Sequence, residues 1–177
     1  MSAAARNLEL KAIDPDPERT LRAALALGAE DRGTLRQRDT YFHAVQGRLK
    51  LREAPPAVAE LIAYARADRP EPVVSSYRVV PVYDPDALGA ALAEVLGVKA
   101  VVVKQRRLLQ WRSVRVHLDA VSRLGTFVEL EAAPGAGGLE AEKLRVQELR
   151  RALDIADERL VARGYADLLG PAGAVRR

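Results

Sequence analysis

The sequence predicts an α+β protein: an antiparallel sheet built from two βαββ-type halves, with a dense band of charge on one face and helices against the other. Three observations predict it. First, Arg48-Leu49-Lys50-Leu51-Arg52-Glu53 alternates strictly, so a strand here puts Arg48, Lys50 and Arg52 on one face and Leu49 and Leu51 on the other. Second, the same alternation returns at Asn7-Leu8-Glu9-Leu10-Lys11, Arg115-Val116-His117-Leu118-Asp119 and Glu129-Leu130-Glu131. Third, the order strand, helix, strand, strand occurs twice along the chain.

Residues 8–11 form the first strand. Asp16-Pro17 opens a helix, with Asp16 as N-cap and Pro17 at the first helical position, where no N–H is needed. Leu21, Ala24 and Leu25 give that helix an apolar face, and Gly28 stops it. A turn at residues 31–33 precedes strands at 36–42 and 48–53. Residues 60–67 read as a further strand with Tyr64 and Arg66 on one face, and the proline- and charge-rich 68–73 as a loop. The second unit begins with a strand at 76–82. Asp84-Pro85 opens its helix, which runs through Leu88, Leu92 and Val95 to Gly97, and strands follow at 100–111 and 113–121. Local details recur as well. Arg36-Gln37-Arg38 echoes Lys104-Gln105-Arg106, and Arg48 to Arg52 echoes Arg115 to Asp119. The cluster at 134–138 breaks the chain before an amphipathic helix at 139–153, with Glu142–Arg145 and Glu148–Arg151 as charge partners. The position of this helix suits a lid. A short closing helix around 158–169 follows, and 171–177 is expected to fray.

At 177 residues, 49% hydrophobic and 29% charged, the chain reads as one soluble globular domain, with an ordered core over about 7–169. Aromatic residues make up 5%, so Leu, Val and Ala carry the packing. The absence of cysteine excludes disulfides, zinc–thiolate sites and thiol nucleophiles, and is compatible with a cytoplasmic location. No signal-peptide core or membrane-length apolar run is expected. A net charge of +4 and a pI near 9.6 favour anionic partners. Nucleic acid is the weakest candidate partner, because the charges fall on alternating strand positions rather than along a helix.

Any antiparallel sheet can show one polar face. Here, however, the polar positions are Arg48, Lys50, Arg52, Arg66, Lys104, Arg106, Arg115, His117, Asp119, Glu129 and Glu131, not a mixture of hydroxyls and amides. Like charges directly opposed across strands cost roughly 0.2–1 kcal/mol per pair, so such a face calls for a ligand. Curled with these residues inward, the sheet is a barrel with a polar lumen and helices outside; left open, it is a sheet with one charged face. The pattern alone fits both. Arg and Lys can clamp phosphoryl oxygens, and Glu9, Asp119, Glu129 and Glu131 are hard oxygen donors of the kind Mg²⁺ or Mn²⁺ accepts.

At these residues the sequence resembles the CYTH family, the triphosphate tunnel metalloenzymes, which include class IV adenylate cyclases, thiamine triphosphatases and inorganic triphosphatases. The resemblance rests on Asn7-Leu-Glu9-Leu-Lys11, Asp39-Thr-Tyr-Phe, Gly47-Arg-Leu-Lys-Leu-Arg-Glu53, Lys104-Gln-Arg106, Arg115-Val-His-Leu-Asp119, Leu124-Gly-Thr-Phe-Val-Glu-Leu-Glu131 and Gly164-Tyr-Ala-Asp-Leu-Leu169, in that order. It implies an eight-stranded antiparallel tunnel barrel. By similarity, Glu9, Asp119, Glu129 and Glu131 hold Mg²⁺ or Mn²⁺, while Lys11, Arg48, Lys50, Arg52, Arg66, Lys104, Arg106 and Arg115 line the triphosphate path. The family signature opens Glu-x-Glu-x-Lys, and its first Glu is Asn7 here, which keeps an oxygen donor and loses a charge.

The function these readings imply is a metal-dependent phosphohydrolase acting on an inorganic, thiamine or nucleoside triphosphate, with Lys11 and Glu9 as the catalytic candidates. A class IV adenylate cyclase uses the same clamp on ATP, and a non-catalytic triphosphate-binding module is the reading that Asn7 motivates. The expected partner is a small-molecule triphosphate, with no membrane, and the chain a monomer or homodimer. Among single residues, His117 reads as a hydrogen-bonded residue of the charged face, His43 as a surface turn, and Trp111 and Tyr41-Phe42 as core or rim packing.

Overall fold

The computed structural model describes residues 5–135 and 137–170. Its strands are β1 (Ala5–Ile13), β2 (Glu30–Phe42), β3 (Arg48–Glu53), β4 (Ala59–Ala65), β5 (Val73–Val82), β6 (Val98–Trp111), β7 (Val114–Val121) and β8 (Gly125–Ala132). They close into an antiparallel barrel in the order β1-β5-β4-β3-β2-β6-β7-β8. The helices are α1 (Pro17–Ala26), α2 (Pro85–Leu96), α3 (Gly138–Ala152) and α4 (Tyr165–Leu169). Among the described residues, no helix is long and apolar enough to cross a membrane.

Closure explains the alternation. Leu8, Leu10 and Ala12 of β1, with Val114, Val116, Val128 and Leu130, point outward into a core shared with Leu21 and Ala24 of α1 and Val146 and Leu149 of α3. On the far side of the barrel Phe42, Leu51, Ala59 and Val82 pack against Leu88 and Leu92 of α2. The charged positions between these residues therefore face the lumen. Both long helices that follow a first strand begin as their sequence dictates: the Asp16 and Asp84 side chains accept hydrogen bonds from the N–H groups of Arg19 and Ala87, each with a proline directly after the cap.

The repeat is larger than the sequence suggests. The strand at 60–67 closes the first unit as β4, and the Glu129–Glu131 strand closes the second as β8, so each unit is βαβββ. Exchanging β1 with β5, β2 with β6, β3 with β7 and β4 with β8 maps the barrel order onto itself. One local echo does not survive. Gln37 pairs with Lys104 and Leu35 with Arg106, so Arg36 and Arg38 fall on the outer face while Lys104 and Arg106 face inward. A slip of one residue reverses every side chain of a strand.

Three expected elements differ. Residues 31–33 are a bulge inside β2, not a turn: Gly33, at φ +92°, donates its N–H to Asp31 Oδ1, and pairing with β6 resumes from Glu30 to Asp31 beyond it. The closing segment 158–169 is not one helix. β1 outruns its β5 neighbour, leaving a free edge at Lys11 and Ala12, and the chain pairs there through Val161 N to Lys11 O and a bridge from Leu160 to Ala12 before α4 starts. Finally, α3 lies on the outer face of β1, β7 and β8 rather than over a mouth, and Glu148 pairs with Arg112 rather than Arg151. The expected fraying at 171–177 lies outside the described residues.

Candidate functional site

Pairing across the barrel stacks the lumen residues into tiers. Lys11 faces Glu129, Glu129 faces His117, Glu131 faces Arg115, Asp119 faces Arg106, and Asp39 faces Arg52. All are directly opposed, with side chains within reach of one another. Two carboxylates anchor the tiers. Asp119 accepts from Arg106 Nε at 2.6 Å and Nη2 at 2.5 Å, from Lys104 Nζ at 3.3 Å and from the Tyr165 hydroxyl at 3.0 Å. Asp39 accepts from Lys50 Nζ at 2.9 Å, from Arg52 Nε at 3.0 Å and from the Gln37 amide at 3.0 Å. Lys11 Nζ lies 3.1 Å from Glu129 Oε1, and Arg106 Nη2 lies 2.5 Å from Glu129 Oε2.

The structure brings most sequence-predicted residues into this one lumen. Lys11, Lys50, Lys104, Arg106 and Asp119 are buried there, and Arg52, Glu129 and Glu131 are partly covered. Arg115 meets Glu131 at 2.7 Å and keeps 40% of its side chain exposed. Arg66 pairs with Glu9 at 2.7 Å and also donates to Ala162 O, which ties it to the segment before α4. Arg48 stands apart at one end, held by Asp68 at 2.6 Å and Asp167 at 3.1 Å. His117 is buried between two glutamates, but its nitrogens lie 3.6 Å from Glu129 and 3.8 Å from Glu131, beyond hydrogen-bond reach. His43 is exposed. Trp111 belongs to the outer core, where its indole N–H donates to Leu27 O at 3.1 Å.

That same end is stopped by α4. Tyr165 and Ala166 pack against the inward-facing Tyr41, Ala100, Val102, Val121 and Phe127. The Tyr165 ring takes Lys11 Nζ at 3.7 Å and Lys104 Nζ at 4.9 Å from its centroid. Asp167 pins the helix through Lys99 and Arg48. The middle of the β4–β5 wall is different in kind: Ile62, Tyr64, Tyr77 and Val79 share the lumen face with Lys50 and Arg48 by direct pairing and are uncharged, while Glu60 on β4, opposite Arg52, and Arg66 just past its end stand on either side of them.

Charge sets the protonation states. Burial alone would raise the Glu129 carboxyl, but Lys11 and Arg106 hold it well below the usual range, and Asp119 and Glu131 are held low in the same way by their cations. Asp39 is kept ionised against its burial by Lys50, Arg52 and Lys104. Lys50 pays for this: burial first, then Arg52, pull it down to about 7 despite Asp39.

Sequence reasoning missed the roles of Asp39, Gln37 and Tyr165, while Tyr41 packs in a core cluster, as expected. Gln37, Asp39 and Tyr41 alternate along one strand, and that parity was the available signal. Tyr165 stood in the Gly164-Tyr-Ala-Asp-Leu-Leu169 motif, which named no partner for it, because it reaches Asp119 only through the tertiary path of the last segment. As for a metal, no three acidic or imidazole groups among the described residues are gathered closely enough to hold one as they stand. The donor chemistry nevertheless fits. The Asn7 amide nitrogen donates to Glu131, so its Oδ1 points away, buried and without a partner, as a hard oxygen beside Glu131.

Residues 5–165 match the profile of the CYTH domain. No curated protein matches the sequence. The fold is shared with the PH1012 protein from Pyrococcus horikoshii OT3, at 23% identity and a TM-score of 0.80 over 92% of this chain and 98% of that one. A Vibrio parahaemolyticus protein assigned provisionally as an adenylate cyclase is 16% identical, with a TM-score of 0.76 over 93% and 98% of the two chains. HpAC1 from Hippeastrum, an adenylyl cyclase candidate with a dominant triphosphatase activity, is 15% identical, with a TM-score of 0.66 over 97% of each chain.

Proposed function

This chain belongs to the CYTH domain family, and from that premise we propose that it is a metal-dependent triphosphatase that draws a triphosphate-bearing small molecule into the barrel and cleaves a phosphoanhydride bond with water. One observation carries the reading. Lys11, Lys50, Arg52, Lys104 and Arg106 crowd the lumen, and their counter-ions there are only Asp39, Asp119 and Glu129 among the described residues. A polyphosphate supplies the missing negative charge.

In this reading the phosphates enter from the end opposite α4. Arg52 and Arg106 offer planar forks for bidentate contacts, and Lys50 and Lys104 add point charges. Arg115 meets the outer phosphates, and Arg66, tied to the segment before α4, adds its charge deeper in the path. Lys11 bonds the terminal phosphoryl group and steadies the charge that grows on its oxygens in a loose transition state. Glu9, held by Arg66, orients the attacking water. Glu9, Glu129 and Glu131 with the Asn7 oxygen would hold the divalent cation, and Asp119 acts behind them by fixing Arg106 and Lys104. When bound, Mg²⁺ or Mn²⁺ neutralises phosphoryl oxygens and polarises the phosphorus.

A second reading, cyclisation of ATP by attack of its ribose 3′-hydroxyl on the α-phosphate, is favoured by the uncharged wall of Ile62, Tyr77 and Val79, where a base has apolar surface to rest on. Product analysis separates the two. Inorganic triphosphate, thiamine triphosphate and ATP are each incubated with Mg²⁺ and with Mn²⁺, using wild type and Glu129→Gln. Free phosphate lost in the variant is the expected result. Cyclic AMP with pyrophosphate would replace hydrolysis by cyclisation, and triphosphate binding without any product would end the enzymatic reading.

A further inference from the structure

Helix α2 is the most apolar helix of the fold and the least covered. Asp86 and Glu94 are its only charges, yet it buries no residue, whereas α1 buries Leu21 and Ala24 and α3 buries Val146 and Leu149. Leu88, Leu92 and Leu96, turned toward the barrel, stay half-buried, and Ala90, Ala91 and Val95 are exposed, Val95 at 79%. Next to this helix the sheet is bare too. Beyond Ala59 and Val82, where α2 gives cover, the outer faces of β4 and β5 present Ala63, Val74 and Val80 to solvent.

The pseudo-two-fold of the barrel says what belongs there. The exchange of units that preserves strand order carries α1 onto α2. It carries α3, which lies on β1, β7 and β8, onto β5, β3 and β4. Among the described residues, one half of the barrel thus has two covering helices, and the other has one helix and an apolar strip of the kind a second helix covers.

We propose that a second copy of this chain covers that strip: α2 of one copy lies on the β4–β5 face of the other, about a two-fold axis between them. Helix and strip adjoin on the same molecule, so one axis buries both at once, helix on sheet twice over, as a closed isologous contact requires. Exposed apolar surface concentrated in this way marks an association face rather than scattered surface residues.

Sedimentation equilibrium of the full chain, from low-micromolar to several-hundred-micromolar concentration, tests this. Wild type should dimerise, Val80→Glu and Val95→Glu should each raise the dissociation constant at least tenfold, and Val45→Glu, in the β2–β3 turn outside the strip, should leave it unchanged. All three positions are exposed, so circular dichroism should show the same folded monomer. A wild type that stays monomeric throughout, or a dimer that both strip variants leave intact, overturns the proposal. Binding to anionic vesicles in place of self-association would assign the face to a membrane and overturn it equally.

Discussion

Asn7 departs from the Glu-x-Glu-x-Lys signature that Glu9 and Lys11 otherwise follow, and its neighbours show what the change does. A carboxylate only accepts, so Glu131 fixes the amide with nitrogen toward itself and oxygen away. A Glu at this position would oppose Glu131 instead. Asn7→Glu is therefore expected to lower the metal-free melting temperature and to raise Mn²⁺ affinity about tenfold, measurable by calorimetry without any substrate. Lys50 makes a pH prediction. Its folded value, about 7, lies below the ordinary lysine value of 10.5. Between those limits the unfolded chain holds a proton that the folded chain has released, so this residue's contribution to stability rises with pH through the window, and its full penalty applies below it. Anion binding runs the other way, because it needs the charged form. Triphosphate affinity should weaken as pH climbs above about 7, and Lys50→Arg should flatten that slope in a binding titration. The cations and carboxylates of this site were legible as residue types at alternating positions. Alternation with Gln37 and Tyr41 puts Asp39 on a face opposite to Arg36 and Arg38, but which cations that face meets depends on the pairing of β2 with β3, which brings it to Lys50 and Arg52.

At the scale of elements, strands and helix starts were legible because their causes are local: alternation, an Asp–Pro cap, a glycine after the last turn. Where a neighbouring strand decides, local signals mislead. Asp31 to Gly33 has turn chemistry, yet pairing with β6 carries β2 through it as a bulge. The segment after α3 lacks strand character, yet the free edge of β1 captures it. Gly47, by contrast, is demanded by the structure. It sits at φ +69°, and a Cβ there would lie 2.8 Å from the Tyr64 carbonyl oxygen at the start of the hairpin that delivers Arg48, Lys50 and Arg52. Gly47→Ala should cost about 1–3 kcal/mol, read as a shift of the denaturant midpoint with an unchanged slope.

Taken as a whole, the lumen is two half-sites with opposite signs. The pseudo-two-fold places Asp39–Arg52 of β2 and β3 where Arg106–Asp119 stands on β6 and β7, so cations and carboxylates interleave around the ring rather than gather on one side. This balance is incomplete, and it predicts a rescue. Asp39→Asn strands Lys50 and Arg52 and should cost about 3–5 kcal/mol, as broken buried pairs do. Inorganic triphosphate should raise the melting temperature of the variant by more than it raises that of wild type, and orthophosphate by less than triphosphate in both; equal shifts would mean that the phosphates do not reach this tier. The sequence by itself determined the strands, the capped helices, the duplicated order and the residue types of the site, because alternation, caps and composition act over a few neighbouring residues. Closure of the sheet, the register that pairs each cation with its carboxylate, and the seating of α4 in one end were decided only by tertiary structure. Each depends on which strands become neighbours across the barrel, and a one-residue slip there turns a lumen residue outward.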